Sequence, residues 1–544
     1  MPFPDLVPTM PSLISSVAER FGPHPLLVTG DERLTYAEAD ERSRDVAAGL
    51  LDQGVTKGDH LGILMPNSAD WVVAFLAVTR IGAVAVPVNT FVQPRELAWQ
   101  LRHADVAHLL CHPSFLGHDY VDRLENAIPG LETADHKLPL HLPDVPRLRH
   151  IAVWGPCDRS WARGGETDLA AESRAAGLDG SFVTAVESTV TPADPVVIVY
   201  TSGSTAEPKG IVHSHGALVR HSYNLTFTYV TRGDDVMFTS MPFFWIGGLV
   251  TGLLAVVHHG ATIVTQPAFD AGEALQLMER ERATIAQGWP HQGKSLLEHP
   301  RHATTDLSSL RRTSMPDFVP ESARPPAISS MALGMTEACS CHTNFDPYVP
   351  LDEAKRGTFG PSIEGLEHKI VDPATGESLP PGEEGEICVR GYSMMLGRYK
   401  VERQDTFDAD GWYHTGDAGR LDDEGWLFFT GRLGDLIKTS GGVNVTPAEV
   451  EAALTALPDV LEAYVVGVPD PNGTAGTQVV AAAVVPRAGT DLDVDEVRIR
   501  LKADLSAFKV PKVIWPCTKT DLPFTDSGKI RKPALATLLA NRLG

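Results

Sequence analysis

The sequence predicts an α/β protein, with a large N-terminal domain of layered αβ subdomains and a small, mobile α+β domain at the C-terminal end. Three observations lead there. Short apolar runs of strand formers alternate with amphipathic stretches of helical period through most of the chain. At 544 residues the chain exceeds one hydrophobic core, since roughly 150 residues per domain is the usual scale. The pattern then changes near Gly431, where the short polar segment "GRLGD" precedes a self-contained mixture of helices and strands.

The N-terminal elements can be taken in order. "LTYAEADERSRDVAAGLLDQG" opens with Thr35 and Glu38 at capping-box spacing and carries Val46, Ala47, Leu50 and Leu51 on one helical face. "HLGILM" reads as a buried strand, "SADWVVAFLAVTRIG" as a helix and "AVAVPVN" as another strand. Residues 157–194 are polar and read as a surface excursion with one short helix. "PVVIVY" is a strand, and "GALVRHSYNLTFTYV" begins as a helix.

Beyond Gly431 the same logic applies. "TPAEVEAALTAL" is a helix with Thr446 as N-cap, Pro447 in its first turn and Glu449 closing the box. "EAYVVGVPDPNGTAGTQVVAAAVV" gives two strands around a Gly/Pro/Asn turn, and "DVDEVRIRLKADL" a further helix. The division is thus residues 1–431, a hinge at 432–435, and 436–544.

Composition narrows the function. A net charge of −23 argues against broad nucleic-acid binding and against docking on anionic lipid, but leaves room for a local basic pocket. "MPFPDLVPTMPSL" lacks a basic region ahead of an apolar run, and no apolar stretch is long enough to span a bilayer. Six scattered cysteines fit reduced thiols, and the expected location is the cytoplasm. Cys339, Cys341 and His342 cluster, yet lack the second ligand pair of a structural metal site.

The chemistry concentrates in "VYTSGSTAEPKGIVHSH". Read as a loop from a strand end to a helix start, it offers backbone N–H groups where an anion is favoured. Gly203 and Gly210 permit close backbone approach, Ser202, Ser204 and Thr205 add donors, and Lys209 adds charge. The spacing is not that of a Walker P-loop. A plain Ser/Gly connector explains the loop alone equally well. Elsewhere "YHTGD" offers Asp417 to a ribose diol, "GRLGDLIKTSGGVNVTPAEVE" supplies Arg432 and Lys438, and "PFTDSGKIRK" exposes Lys529 on a Ser-Gly turn. Each has a structural alternative: a capping aspartate, surface cations, a solvated tail.

Taken together and in this order, "YTSGSTAEPKG", "GMTE", "YHTGD", "GRLGDLIKTSGGVNVTPAEVE" and "SGKIRK" resemble the adenylate-forming superfamily of acyl-CoA synthetases, peptide-synthetase adenylation domains and luciferases. The resemblance runs from about Leu34 to Leu535 and is closest to fatty-acid–CoA ligases. It implies that Thr201, Ser202, Gly203, Ser204, Thr205 and Lys209 hold the phosphates of ATP, Thr336 meets the α-phosphate, and Glu337 helps hold Mg²⁺. Asp417 and Arg432 would bind ribose, with Lys438 beside them, and Lys529 would join the substrate carboxylate to the α-phosphate. Gly441 and Gly442 would leave room for the pantetheine arm of CoA once the small domain has turned.

The implied reaction is ATP-dependent activation of an apolar carboxylic acid to an acyl-adenylate, then transfer to CoA with release of AMP and pyrophosphate. An amine or a carrier-protein thiol as acceptor stays open, as does a nucleotide-binding regulatory protein without turnover. Phe244, Trp245, Gly288, Trp289, Met331 and Leu333 are the expected acid pocket. A small-molecule acid is the expected partner, with no nucleic acid and no integral membrane segment; a homodimer is compatible with the sequence.

The sequence departs from the family in three places. Leu333 stands where an aromatic residue precedes Gly-x-Thr-Glu, and the "GGAP"-like turn over the adenine is missing. "RRTSMPDFVPESARPPAISSM" replaces it, about ten residues short for one αβ unit, with Phe318 as a candidate cover. Trp245 stands where many relatives carry histidine, and Gly434 where the hinge usually has Asp or Lys.

Overall fold

A computed structural model describes residues 3–201, 208–229, 232–325, 332–435, 437–439, 444–445, 447–471, 478–505, 509–525 and 529–543. They divide into two compact units: residues 1–367 with 390–412, and residues 368–389 with 413–544. The boundary read from the sequence, 432–435, falls inside the second unit.

The first unit is built on two sheets. One runs in the order Arg312–Thr313, Ile285–Gln287, Val236–Thr239, Thr262–Thr265, Pro25–Thr29, Glu32–Thr35, parallel except for the last pair. The other has eight strands, ordered Gly397–Arg398, Lys209–Ser214, Pro195–Thr201, Val84–Pro87, His60–Leu64, Val106–Cys111, His150–Val153, Ala162–Gly164. Every residue of helix Ala69–Arg80 except Asp70 is buried, as its nearly all-apolar sequence requires. Its side chains join those of Tyr36–Asp52 and Met10–Phe21 in the largest core cluster. The capping box at Thr35 and Glu38 is formed in both directions.

Arg80 ends that helix fully buried. Its guanidinium donates to Glu187 Oε1 at 2.6 Å, Asp40 Oδ1 at 2.7 Å, the Asp40 carbonyl at 2.8 Å and Ser43 Oγ at 2.6 Å. A buried cation persists only when its donors are satisfied and its charge is paired. Glu187 comes from the stretch read as a surface excursion with one helix. That reading needs correcting: Glu166–Ala175 and Gly180–Glu187 are two helices, and their buried Leu169 and Val183 join the main core.

A second correction concerns the hydroxyl-rich loop. Residues 195–201 and 209–214 pair antiparallel, so the loop closes a β-hairpin, and helix His215–Tyr229 starts only afterwards. The segment that directly follows the loop is therefore a strand and not a helix.

The second unit holds an antiparallel pair, Val460–Pro469 with Gln478–Pro486, to which Val513–Pro516 adds in parallel. Val450 and Leu454 of helix Pro447–Thr455 join Val497 and Leu501 of helix Val494–Asp504 in one apolar cluster. Leu535 and Leu539 of helix Lys532–Ala540 belong to a separate cluster with alternate residues of the same strands. That is the two-sided burial expected of a strand covered on both faces. Thr446, the expected cap, lies outside the described residues. Gly385–Gly391, Tyr413–Leu421 and Trp426–Arg432 form a further antiparallel ladder.

Candidate active site

Thr201 and Lys209 are register partners and form the base of the hairpin; Ser202, Gly203, Ser204 and Thr205 between them lie outside the described residues. Lys209 is half-buried. A Cβ at Gly210 would stand 3.1 Å from both Tyr200 Cζ and Ile198 Cγ2, so those side chains would have to give by a few tenths of an ångström to admit one. The Tyr200 hydroxyl is 2.7 Å from His103 Nδ1. The base of the loop is thus packed and hydrogen-bonded.

Thr336 and Glu337 begin a short 3₁₀ turn, Thr336–Ala338, that ends at Cys339 in the left-handed region (φ 62°). The turn follows Gly334–Met335, which pairs with Ser340–Cys341. A Cβ on Gly334 would lie 2.9 Å from the Ser340 carbonyl oxygen, so only glycine fits this approach. Leu333 is half-buried; its N–H donates to Thr343 Oγ1 at 2.8 Å and its carbonyl accepts from His342 N–H at 2.8 Å. Burial raises the thiols of Cys339 and Cys341, the latter to about 11. Among the described residues Cys339, Cys341 and His342 do not converge as metal donors.

The expected acid wall is partly assembled. Phe244 and Trp245 meet edge to face with ring centres 5.2 Å apart, Trp245 and Trp289 likewise at 5.5 Å, and Trp289 stacks on His291 at 5.9 Å. Gly288 donates its N–H to Ser314 Oγ at 2.9 Å; a Cβ there would lie 2.6 Å from Met315 Sδ. Met331 lies outside the described residues. Phe318 is no adenine cover: it is 1% exposed, packed with Leu296, Met315 and Val319 in a core cluster.

In the second unit, Asp417 and Arg432 face each other across adjacent strands, with Arg432 Nε 2.9 Å from Asp417 Oδ1. Arg432 also donates from Nη1 to the Thr415 carbonyl at 2.9 Å. Asp417 therefore sits in a strand, next to Gly416 at φ 72°. Sequence reasoning missed the support beneath it: Glu386 accepts from Gly416 N–H at 3.0 Å and lies 2.8 Å from His414 Nδ1, which in turn is 3.5 Å from Cys388 Sγ. Only the register of the two strands brings those three together.

Lys438 pairs through its backbone with Asn444; Gly441 and Gly442 are outside the described residues. Lys529 has an exposed side chain, while its N–H donates to Thr525 Oγ1 at 3.0 Å and its carbonyl accepts from Thr525 N–H at 2.7 Å. Asp435, at the end of the proposed hinge, pairs with Lys532 at 2.9 Å. Among the described residues no helix is long and apolar enough to cross a membrane.

The arrangement can be set beside known proteins. The AMP-binding enzyme family model matches residues 14–399, and the AMP-binding enzyme C-terminal domain model residues 449–529. A methyl-dioxo-octahydroindenyl propanoyl:CoA ligase of Rhodococcus jostii is 34% identical over 552 residues, covering 97% of this chain and 98% of its own. The mitochondrial medium-chain acyl-CoA ligase ACSF2 of Danio rerio is 30% identical over 555 residues, covering 98% and 89%. Among solved structures, ATP-bound MatB from Rhodopseudomonas palustris aligns with a TM-score of 0.79 at 27% identity, covering 98% of this chain and 100% of that one. These matches run nearly the length of both chains. The chain belongs to the AMP-binding enzyme family, as an ATP-dependent acyl-CoA synthetase.

Proposed function

We propose that the acid is apolar, ring-bearing or fatty, and that it is activated as its adenylate before passing to CoA. The observation that carries this reading is the aromatic run Phe244–Trp245–Trp289, which offers ring faces and edges and few polar groups. Relatives named for an alicyclic propanoate and for medium-chain acids agree with it.

In this reading Thr201, Ser202, Thr205 and Lys209 hold the β- and γ-phosphates, Gly203 and Ser204 belong to the same ATP-binding set, and Thr336 meets the α-phosphate. A carboxylate is a poor partner for a polyanion, so the two must be held together while charge is neutralised. Lys529 serves as the fixed cation for that encounter and need not exchange a proton. Glu337, a carboxylate on a turn with a fixed backbone, suits a hard cation, and Mg²⁺ bound there would neutralise the departing pyrophosphate. Asp417 and Arg432 hold the ribose hydroxyls. Residues 432–435 act as the pivot between half-reactions, and Gly441 and Gly442 admit pantetheine. The cytoplasm is the proposed location.

A panel of fatty, alicyclic, aromatic and short polar acids, assayed with ATP, Mg²⁺ and CoA, tests the reading. Apolar acids should give the highest kcat/KM for CoA ester formation. Preference for a short polar acid would refute it, and acid-dependent pyrophosphate release without CoA consumption would move the acceptor to an amine or carrier thiol.

A further inference from the structure

Three successive carbonyls of the Thr336–Ala338 turn each receive a donor from elsewhere in the first unit. The Thr336 oxygen lies 2.8 Å from His213 Nε2, the Glu337 oxygen accepts from Met395 N–H at 2.8 Å, and the Ala338 oxygen accepts from Ser393 Oγ at 3.0 Å. Ser393 and Met395 lead into Gly397–Arg398, which pairs with Ile211 and Val212; Leu396 N–H also donates to the Val212 carbonyl at 2.8 Å. His213 follows Val212 on that same strand. The bonds therefore close a circuit that runs from the strand through His213 to the turn, and back through Met395 and Leu396.

The chemistry of His213 is narrowly defined. A carbonyl can only accept, so Nε2 carries the proton and Nδ1 is bare. The ring is fully buried, and Nδ1 has no partner among the described residues. Burial holds the imidazole neutral, with its pKa pushed down to about 4. An unsatisfied buried nitrogen carries a desolvation penalty that an apolar side chain would avoid. Packing alone thus gives no reason for histidine here. The bond to Thr336 does.

Lys209 and His213 are four residues apart on one strand, so they share a face and stand about 13 Å apart along it. We propose that His213 is a positioning residue for adenylation, fixing the Thr336–Glu337 turn against the strand whose first residue is Lys209. It sets the spacing between Lys209 and the turn that carries Glu337. The inference rests on the roles given above to Lys209, Thr336 and Glu337.

The test is acid-dependent pyrophosphate release, titrated with Mg²⁺ and with ATP, together with calorimetric binding of ATP without acid in the presence and absence of Mg²⁺, in His213→Leu, His213→Asn, His213→Gln and Glu337→Gln. Removing a group that orients a metal ligand typically weakens metal affinity about 10–100-fold. His213→Leu should raise the half-saturating Mg²⁺ and the ATP KM at least tenfold or so, with little change in the KM for the acid. His213→Gln keeps an N–H donor at similar reach and should restore most of the loss. His213→Asn is polar but too short, and should behave like leucine; it carries the comparison if the leucine variant does not fold. Unchanged Mg²⁺ and ATP dependence in both His213→Leu and His213→Asn, or equal losses in glutamine and asparagine variants, would overturn the inference. An unchanged Mg²⁺ dependence in Glu337→Gln would remove the role of Glu337 itself, and the inference with it.

Discussion

Arg432 Nε lies 2.9 Å from Asp417 Oδ1, and the two residues are register partners on adjacent antiparallel strands. The strands fix their backbones, and the ion pair fixes the side chains. Asp417 is largely buried and Arg432 largely exposed, so the pair presents a carboxylate edge and a guanidinium edge side by side. That is a fitting surface for a vicinal diol, which both donates and accepts.

The first prediction follows from that asymmetry. An ion pair with one partner in water contributes about 0–1 kcal/mol to folding. Arg432→Ala should leave the melting temperature nearly unchanged while raising the KM for ATP several-fold, with a smaller effect on the acid. A melting loss with unaltered ATP dependence would make the pair a structural clasp.

Lys529 gives the second. Its backbone is held by two hydrogen bonds to Thr525, and its side chain is exposed, so truncation removes a cation without loosening the fold. Lys529→Ala should slow pyrophosphate release on the order of 10²–10³-fold. Thioester formation from supplied acyl-adenylate should stay near wild type. Equal damage to both steps would contradict the assignment.

The third concerns pH. His213, His215 and His221 are buried with pKa values pushed down to about 4, and His258 to about 3, all chiefly by desolvation. Unfolded histidines take up protons near pH 6.5, whereas these stay neutral in the folded protein until the pH falls much further. The unfolded state therefore binds more protons between about pH 6.5 and pH 4, and stability falls as pH is lowered through that window. Each group contributes at most about 1.4 kcal/mol per pH unit. Denaturant melts at pH 7.5, 6.5 and 5.5 should show a steep loss only below about pH 6.5. A flat profile would mean that the rings carry protons in the folded state.

What the sequence disclosed and what it hid have physical reasons. Thr35 and Glu38, or the apolar run from Ala69 to Arg80, act over a few residues, and local patterns of that kind are legible in order. The strand Lys209–Ser214 was not, because Gly210, His213 and Ser214 dilute its strand character and the helix after it is strong. Phe318 looked available because prolines surround it, yet tertiary packing on Leu296 buries it. Asp417 and Arg432 each stood out in the sequence, but their pairing, like that of Glu386 with His414, depends on register across strands. His213 offered no signal beyond its place in "KGIVHSH", because its role resides in a turn far along the chain.

The last prediction concerns Gly434. It occupies the middle of the short 3₁₀ turn Leu433–Asp435, and a Cβ there would meet nothing within 4 Å. Asp435 at the turn's end is tied to Lys532 at 2.9 Å. Proline fixes φ near −65°, close to what a 3₁₀ turn already requires. Gly434→Pro should therefore fold and hold this one conformation of the pivot. Gly434→Ala is the control, since it adds bulk into open space without locking the torsion. Single-turnover pyrophosphate release and CoA ester formation, measured in the same preparation, should diverge by at least about tenfold in the proline variant and much less in the alanine variant. If proline slows neither step, the torsional change lies at another residue and the pivot is not at 432–435.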